Sequence, residues 1–215
     1  GSGCLACTAA LETGCETVGW DLSDRALAVA RRNVSALGAR VAIEKADALH
    51  PPCDSRQWDI IVSNPPYICQ NERSAMHSNV LRHEPHEALF VPDDDPLLFY
   101  RAIAAYAAEA LKENGVLLFE INPLHSEKLE RLLISAGFSN VELIADLYGK
   151  QRFAEARKPG CELIMCQQMR TAVIGGGAAG FFLAVNLKEM MPQMDLTIFE
   201  RGQRVLRKVE VSGGG

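Results

Sequence analysis

Two rhythms of apolar residues alternate along the chain. Short apolar runs at 17–20, 41–44, 58–62 and 116–121 are separated by stretches at 4–11, 23–37, 96–111 and 126–136 in which apolar residues recur every three or four positions. The first kind predicts strands buried on both faces, the second helices with one apolar face. Ser23 stands at a helix N-cap position, Leu27, Ala30, Val34 and Leu37 follow along one face, and Gly38 lies just past the end. Gly115 and Gly137 are expected to stop the next two helices in the same way. Residues 141–145 and 152–156 predict a closing pair of strands, the antiparallel edge with which many α/β sheets finish. The pattern as a whole predicts an α/β fold.

Composition narrows the function classes. With 215 residues, 48% of them hydrophobic and 23% charged, the chain is long enough for one good core and a second, smaller one. A net charge of -5 argues against direct nucleic-acid binding, which needs clustered Lys and Arg. No apolar run reaches membrane-spanning length and no basic stretch leads into an apolar block at the start, so a cytoplasmic protein without membrane partners is expected. The seven cysteines are odd in number and irregularly spaced, which speaks against a disulfide framework. Cys4-Leu5-Ala6-Cys7 lacks a second ligand pair at zinc-site spacing, and His83-Glu84-Pro85-His86 lacks the i, i+4 spacing of a helical metal motif, so no metal is expected.

The chemistry concentrates after the strands. Ser63-Asn64-Pro65-Pro66-Tyr67 follows the run at 58–62. Two prolines fix φ and remove two N–H donors, so the loop offers carbonyl oxygens. The side-chain oxygen of Asn64 and the carbonyl of Pro65 can together accept both hydrogens of a planar NH2 group, with the Tyr67 ring over one face. A carboxylate would leave those acceptors unpaired. The competing reading is a plain strand-ending turn, since a residue before proline is driven extended. Gly1-Ser2-Gly3 opens a helix as ligand-approaching glycine loops do. Asp21 ends the run at 17–20, where nucleoside-binding folds hold a ribose, unless it is merely a solvated carboxylate. Asp47-Ala48 follows the run at 41–44. The Gly1/Gly3 loop, Asp21, Asp47 and Asn64 therefore fall after successive strands on one predicted edge of one sheet.

These residues resemble the catalytic domain of the release-factor glutamine methyltransferases. Beyond Asn64-Pro65-Pro66-Tyr67-Ile68 the resemblance rests on Asn79-Val80, Glu84-Pro85-His86-Glu87-Ala88-Leu89-Phe90, Phe99-Tyr100-Arg101, Gly115-Val116-Leu117-Leu118-Phe119-Glu120 and Asp146-Leu147-Tyr148-Gly149. It implies a Rossmann-like S-adenosylmethionine methyltransferase over residues 1–158 that acts on a glutamine side-chain amide of a peptide chain release factor. The cofactor would be held by Gly1, Ser2, Gly3, Asp21, Asp47, Ala48 and Asn64, with Asn64, Pro65, Pro66 and Tyr67 as the catalytic loop. Amino-methylating DNA enzymes share the tetrapeptide, so a DNA adenine N6-methyltransferase is an alternative. The resemblance also implies an upstream helical domain and a central strand before Gly1. On that expectation the chain is truncated, the first strand is missing, and the strands ending at Asp21 and Val62 face a gap with unpaired edges.

Lys158-Pro159-Gly160 reads as a boundary, with a linker at 159–168 and a second unit at 169–215. A predicted strand at 171–174 runs into Gly175-Gly176-Gly177-Ala178-Ala179-Gly180, and Glu200 ends a further apolar run about 20 residues on. Gly175, Gly177, Ala178, Ala179 and Gly180 would admit a pyrophosphate, and Glu200 would hold a ribose. The stretch from Lys208 to Gly215 resembles the Lys-x-x-x-Ser-Gly-Gly-Gly segment of a family of FAD-dependent oxidoreductases; the plainer reading is an engineered glycine tail. The resemblance implies an incomplete βαβ unit for FAD, and an FAD/NAD(P)-dependent oxidoreductase as an alternative function.

Overall fold

The computed structural model describes residues 1–75 and 88–160, and the backbone of 170–174. Contacts divide the chain into two compact units, Gly1–Lys45 with Arg170–Gly215, and Ala46–Met169. The class is mixed α/β, as the alternation of periods predicts. No helix among the described residues is long and apolar enough to cross a membrane.

In the first unit, helix α1 (Cys4–Thr13) leads into strand β1 (Glu16–Asp21), helix α2 (Asp24–Leu37) and strand β2 (Val41–Lys45). Ser23 caps α2 by accepting from the Ala26 N–H at 3.4 Å, and Gly38 ends it in the left-handed region at φ 64°. Leu27 and Ala30 of α2 are buried, whereas Leu37 at the far end of the expected face is half exposed. Strand β1 pairs in parallel with β2, Thr17 opposite Val41 and Asp21 opposite Lys45. Its other edge pairs in parallel with the strand Arg170–Ile174, Glu16 opposite Arg170 and Trp20 opposite Ile174. The expected unpaired edge on β1 is thus corrected. An apolar, β-prone run later in the chain takes up the hydrogen-bonding groups that an open edge would leave bare. With a strand on each side, Thr17, Val18 and Trp20 are buried, as a central parallel strand requires.

The second unit holds β3 (Trp58–Ser63), β4 (Ile68–Cys69), a 3-10 turn Gln70–Ala75, β5 (Phe90–Val91), α3 (Leu98–Ala110), β6 (Leu111–Glu120), a 3-10 turn Pro123–His125, α4 (Ser126–Ser135), β7 (Ser139–Ala145) and β8 (Gln151–Arg157). Strand β3 pairs in parallel with β6, β6 antiparallel with β8, and β8 antiparallel with β7. The antiparallel edge is where the closing strand pair was expected. Strands β4 and β5 form a separate parallel pair. The core is built from Ile60, Ile61 and Val62 of β3, Val116 to Phe119 of β6, and Tyr100, Ile103 and Ala107 of α3.

One boundary differs from expectation for a definite reason. Helix α3 ends at Ala110, and Gly115 is not its stop. A Cβ on Gly115 would stand 2.8 Å from the Lys112 carbonyl oxygen and 3.1 Å from that of Asp59. The glycine there permits β6 to enter close beside β3, a constraint the helical pattern alone does not reveal.

Candidate active site

Strand β3 is buried along nearly its whole length and delivers Asn64-Pro65-Pro66-Tyr67 at its carboxyl end. Pro65 is buried, while Asn64, Pro66 and Tyr67 are partly exposed. The Asn64 side chain makes no hydrogen bond to another described residue. Tyr67 is held from two sides. Its hydroxyl donates to Glu120 Oε1 at 2.9 Å, and its carbonyl accepts from Asn122 Nδ2 at 3.2 Å. Burial, followed by the Glu120 charge, pushes the Tyr67 phenol well above its ordinary value.

Glu120 closes β6 beside this loop. Burial raises its carboxyl group above the ordinary carboxylate value, against the lowering effect of the Tyr67 hydrogen bond and of Arg152. Its second oxygen, Oε2, is buried without a hydrogen-bond partner among the described residues. Arg152 is itself committed to Asp146, Nε to Oδ2 at 3.2 Å. Asn122 also donates to both oxygens of Glu72, at 3.0 and 3.1 Å, and its own Oδ1 accepts from the Leu124 N–H at 3.1 Å. Glu72 in turn accepts from the Cys69 N–H at 2.9 Å. The loop is therefore held by side-chain hydrogen bonds from the end of β6 and the turn beyond it.

Cys69 is buried and its thiol is pushed up to about 11, by burial first and by the Glu72 charge second. Its sulfur lies 3.5 Å from His125 Nε2. Asp47, also in this unit, keeps its carboxylate for local bonds: Oδ1 accepts from the Leu49 N–H at 2.9 Å and Oδ2 lies 3.0 Å from His50 Nδ1. The His50 hydrogen bond is the main reason its carboxyl lies below the ordinary range. Ala48 occupies the turn between Asp47 and His50.

In the first unit the glycine loop and Asp21 meet. The Gly1 ammonium pairs with Asp21 Oδ2, and the Ser23 N–H donates to Oδ1 at 2.7 Å. The Ser2 carbonyl accepts from Asn33 Nδ2 at 2.9 Å, which ties the loop to α2. Gly3 caps α1 at φ 74°, and a Cβ there would lie 3.0 Å from that of Ala30. Asp21 Oδ1 thus accepts a backbone N–H at a strand end, where a carboxylate can also take the hydroxyls of a ribose diol. The donor set fits a nucleoside cofactor. Gly175, Gly177, Ala178, Ala179, Gly180 and Glu200 lie outside the described residues, as do the landmarks at 79–80 and 84–87.

Sequence reasoning gave Glu120 no role beyond its place in the landmark at 115–120, and did not name Asn122 or Glu72. For Glu120 a signal was present: it is an acid ending a buried apolar strand, the same signal that drew attention to Asp21. Asn122 and Glu72 are separated by 50 positions and carry no spacing signature.

Comparison with known proteins agrees with this architecture. A methyltransferase from Pyrococcus furiosus superposes with a TM-score of 0.51 at 16% identity, covering 70% of this chain and 66% of that one. At that identity the likeness shows the fold, which is the mixed α/β fold of a methyltransferase. The methyltransferase domain family profile matches residues 1–83. The release factor glutamine methyltransferase of Bacteroides thetaiotaomicron is 41% identical over 160 residues, 74% of this chain and 58% of that protein. The enzyme of the same name from Flavobacterium psychrophilum is 41% identical over 153 residues, 71% of this chain and 54% of that protein. The chain thus spans somewhat more than half the length of these relatives.

Proposed function

We propose that residues 1–158 form the transferase portion of an S-adenosylmethionine-dependent enzyme that methylates the side-chain amide nitrogen of a glutamine in a peptide chain release factor. The observation that carries this reading is the loop after β3. The Asn64 amide is uncommitted among the described residues, the two prolines carry no N–H, and Tyr67 is pinned by Glu120 and Asn122. Such a loop takes a planar NH2 group in preference to a carboxylate, and the similarity to the Bacteroides and Flavobacterium enzymes supports the choice of substrate.

S-adenosylmethionine, when bound, supplies a methyl group on a sulfonium sulfur. Gly1, Ser2, Gly3 and Asp21 of the first unit would bind it. The amide nitrogen must attack with its lone pair, which resonance ordinarily ties into the carbonyl. Acceptors at Asn64 and Pro65 orient the two N–H bonds and favour positive charge on nitrogen as the new bond forms. Tyr67 keeps its position because its hydroxyl and its carbonyl are both engaged. The excess amide proton leaves after transfer.

Incubating the chain with S-adenosylmethionine and a glutamine-containing release-factor peptide, and reading the peptide by mass spectrometry, tests the reading. The expected result is one methyl group on the glutamine amide. Methylation of adenine in DNA under the same conditions, with the peptide untouched, would overturn it.

The tail supports a second reading for residues 169–215, with 159–168 as linker. A strand at Arg170–Ile174 directly precedes Gly175, the order a dinucleotide-binding turn requires. Titration with FAD, followed by flavin fluorescence, tests that assignment independently of methyl transfer.

A further inference from the structure

Beside the Tyr67 loop, three different elements bring together one thiol, one carboxylate and one imidazole. Cys69 ends β4, Glu72 lies in the turn that follows, and His125 closes the turn before α4. One ligand atom from each lies within 4.8 Å of the others. The Cys69 Sγ to His125 Nε2 distance is 3.5 Å. A sulfur and a nitrogen bound tetrahedrally to one zinc ion, with bonds of about 2.3 and 2.0–2.1 Å, stand about 3.5 Å apart. The separation therefore suits two edges of one coordination sphere as well as it suits a weak thiol–imidazole contact.

We propose that Cys69, Glu72 and His125 form a three-ligand site for a divalent metal ion of the zinc type. One sulfur, one nitrogen and one oxygen make a borderline donor set that selects zinc or cobalt over magnesium and calcium, which take oxygen ligands. Three protein ligands leave a fourth position to solvent. The carboxylate is already oriented. Asn122 donates to both oxygens of Glu72, and the Cys69 N–H donates to Oε1, which is how outer-shell groups fix metal ligands. Oε2, which accepts from Asn122 alone, keeps a further lone pair for the ion. As the metal–sulfur bond forms, the Sγ proton passes to solvent, so the charge and proton count balance without another reactant. Asn122 also holds the Tyr67 carbonyl, so the ion would sit one hydrogen-bonded residue away from the loop.

Cobalt(II) titration of the metal-stripped, reduced full chain tests the site. The expected result is a thiolate-to-cobalt charge-transfer band with the visible bands of a four-coordinate ion, displaced by zinc at one equivalent. Cys69→Ser should abolish the charge-transfer band, and His125→Ala and Glu72→Gln should each weaken zinc binding about 100-fold or more, beyond the 10–100-fold usual for losing an outer-shell partner. Cys53→Ser, which removes an exposed thiol outside the cluster, should leave both measurements unchanged. Circular dichroism of each variant confirms folding, and His125→Ala carries the test should Cys69→Ser not fold. Absence of a charge-transfer band in the parent chain, or its persistence in Cys69→Ser, would overturn the proposal. So would zinc affinity unaltered in a folded His125→Ala.

Discussion

The ends of β1 and β6 each carry an acid, and the two carboxylates sit in opposite surroundings. Asp21 accepts from the Ser23 N–H in a solvent-exposed hydrogen bond. Glu120 is half-buried with its carboxylate shielded from water beside Tyr67, keeps one oxygen without a partner among the described residues, and has a raised carboxyl pKa. An exposed carboxylate exchanges its donors for those of a ligand at small cost, because water already competes for them. A buried one cannot exchange freely. It fixes whatever it touches, here the ring of Tyr67. On the proposed function the first is a binding element and the second a positioning element, although each is an acid at the end of an apolar strand.

The sharpest way to separate the two ends is to remove the group that the second one positions its loop to use. Asn64→Ala should cost about 2.7–4 kcal/mol in methyl transfer, the scale of losing one preorganised transition-state group, with a smaller loss of cofactor affinity because Asn64 is one of several candidate cofactor contacts. Turnover of a release-factor peptide and calorimetric titration with S-adenosylmethionine measure the two quantities side by side. Unchanged turnover would reduce the Asn-Pro-Pro turn to a strand ending.

Next in size is a change at the glycine loop. Gly3→Ala places a side chain at φ 74° and 3.0 Å from the Ala30 Cβ. The left-handed conformation alone costs about 1–2 kcal/mol for a residue with a Cβ. Thermal unfolding should show that loss. Stability equal to the parent would mean that the loop relaxes away from α2 without cost.

Asp21→Asn should weaken S-adenosylmethionine binding about tenfold, since it replaces a charged acceptor by a neutral one of the same shape. The far-ultraviolet spectrum should not change. Normal binding would demote Asp21 to a solvated strand-end group.

The two ends also differ in how much of them could be read before the structure. Period and capping residues located β1, α2 and β2, because local chemistry decides them: Ser23 caps, Gly38 stops, and 17–20 is apolar on both faces. The Asn64 loop was legible for the same reason, since two prolines act on their own backbone. What could not be read was anything that depends on distant pairing. Arg170–Ile174 was expected to open a separate unit, and it pairs with β1 because an open edge accepts any parallel apolar strand of suitable length. The same holds for Cys69 and His125, whose 56-position separation carries no pattern until β6 and the turn after it bring them together. Gly115 was misread because close backbone approach and helix termination call for the same residue.

The smallest expected effect tests the burial of Glu120 directly. Burial lifts its folded-state carboxyl above the ordinary carboxylate value, so the native protein holds that proton to higher pH than the unfolded chain does. Between the unfolded value, about 4.3, and the raised folded value the native state binds more protons, and stability falls as pH rises. The contribution is therefore fully present below the unfolded value and lost as pH passes the folded one, the reverse of a carboxylate stabilised by a salt bridge. Glu120→Gln keeps an acceptor for the Tyr67 hydroxyl and removes the titration. Urea unfolding of both proteins across this acidic window should show the parent losing stability relative to Glu120→Gln as pH increases, with a slope no steeper than about 1.4 kcal/mol per pH unit for a single proton. Parallel curves would mean that the carboxylate is solvated in solution, and the contrast between the two strand ends would fail.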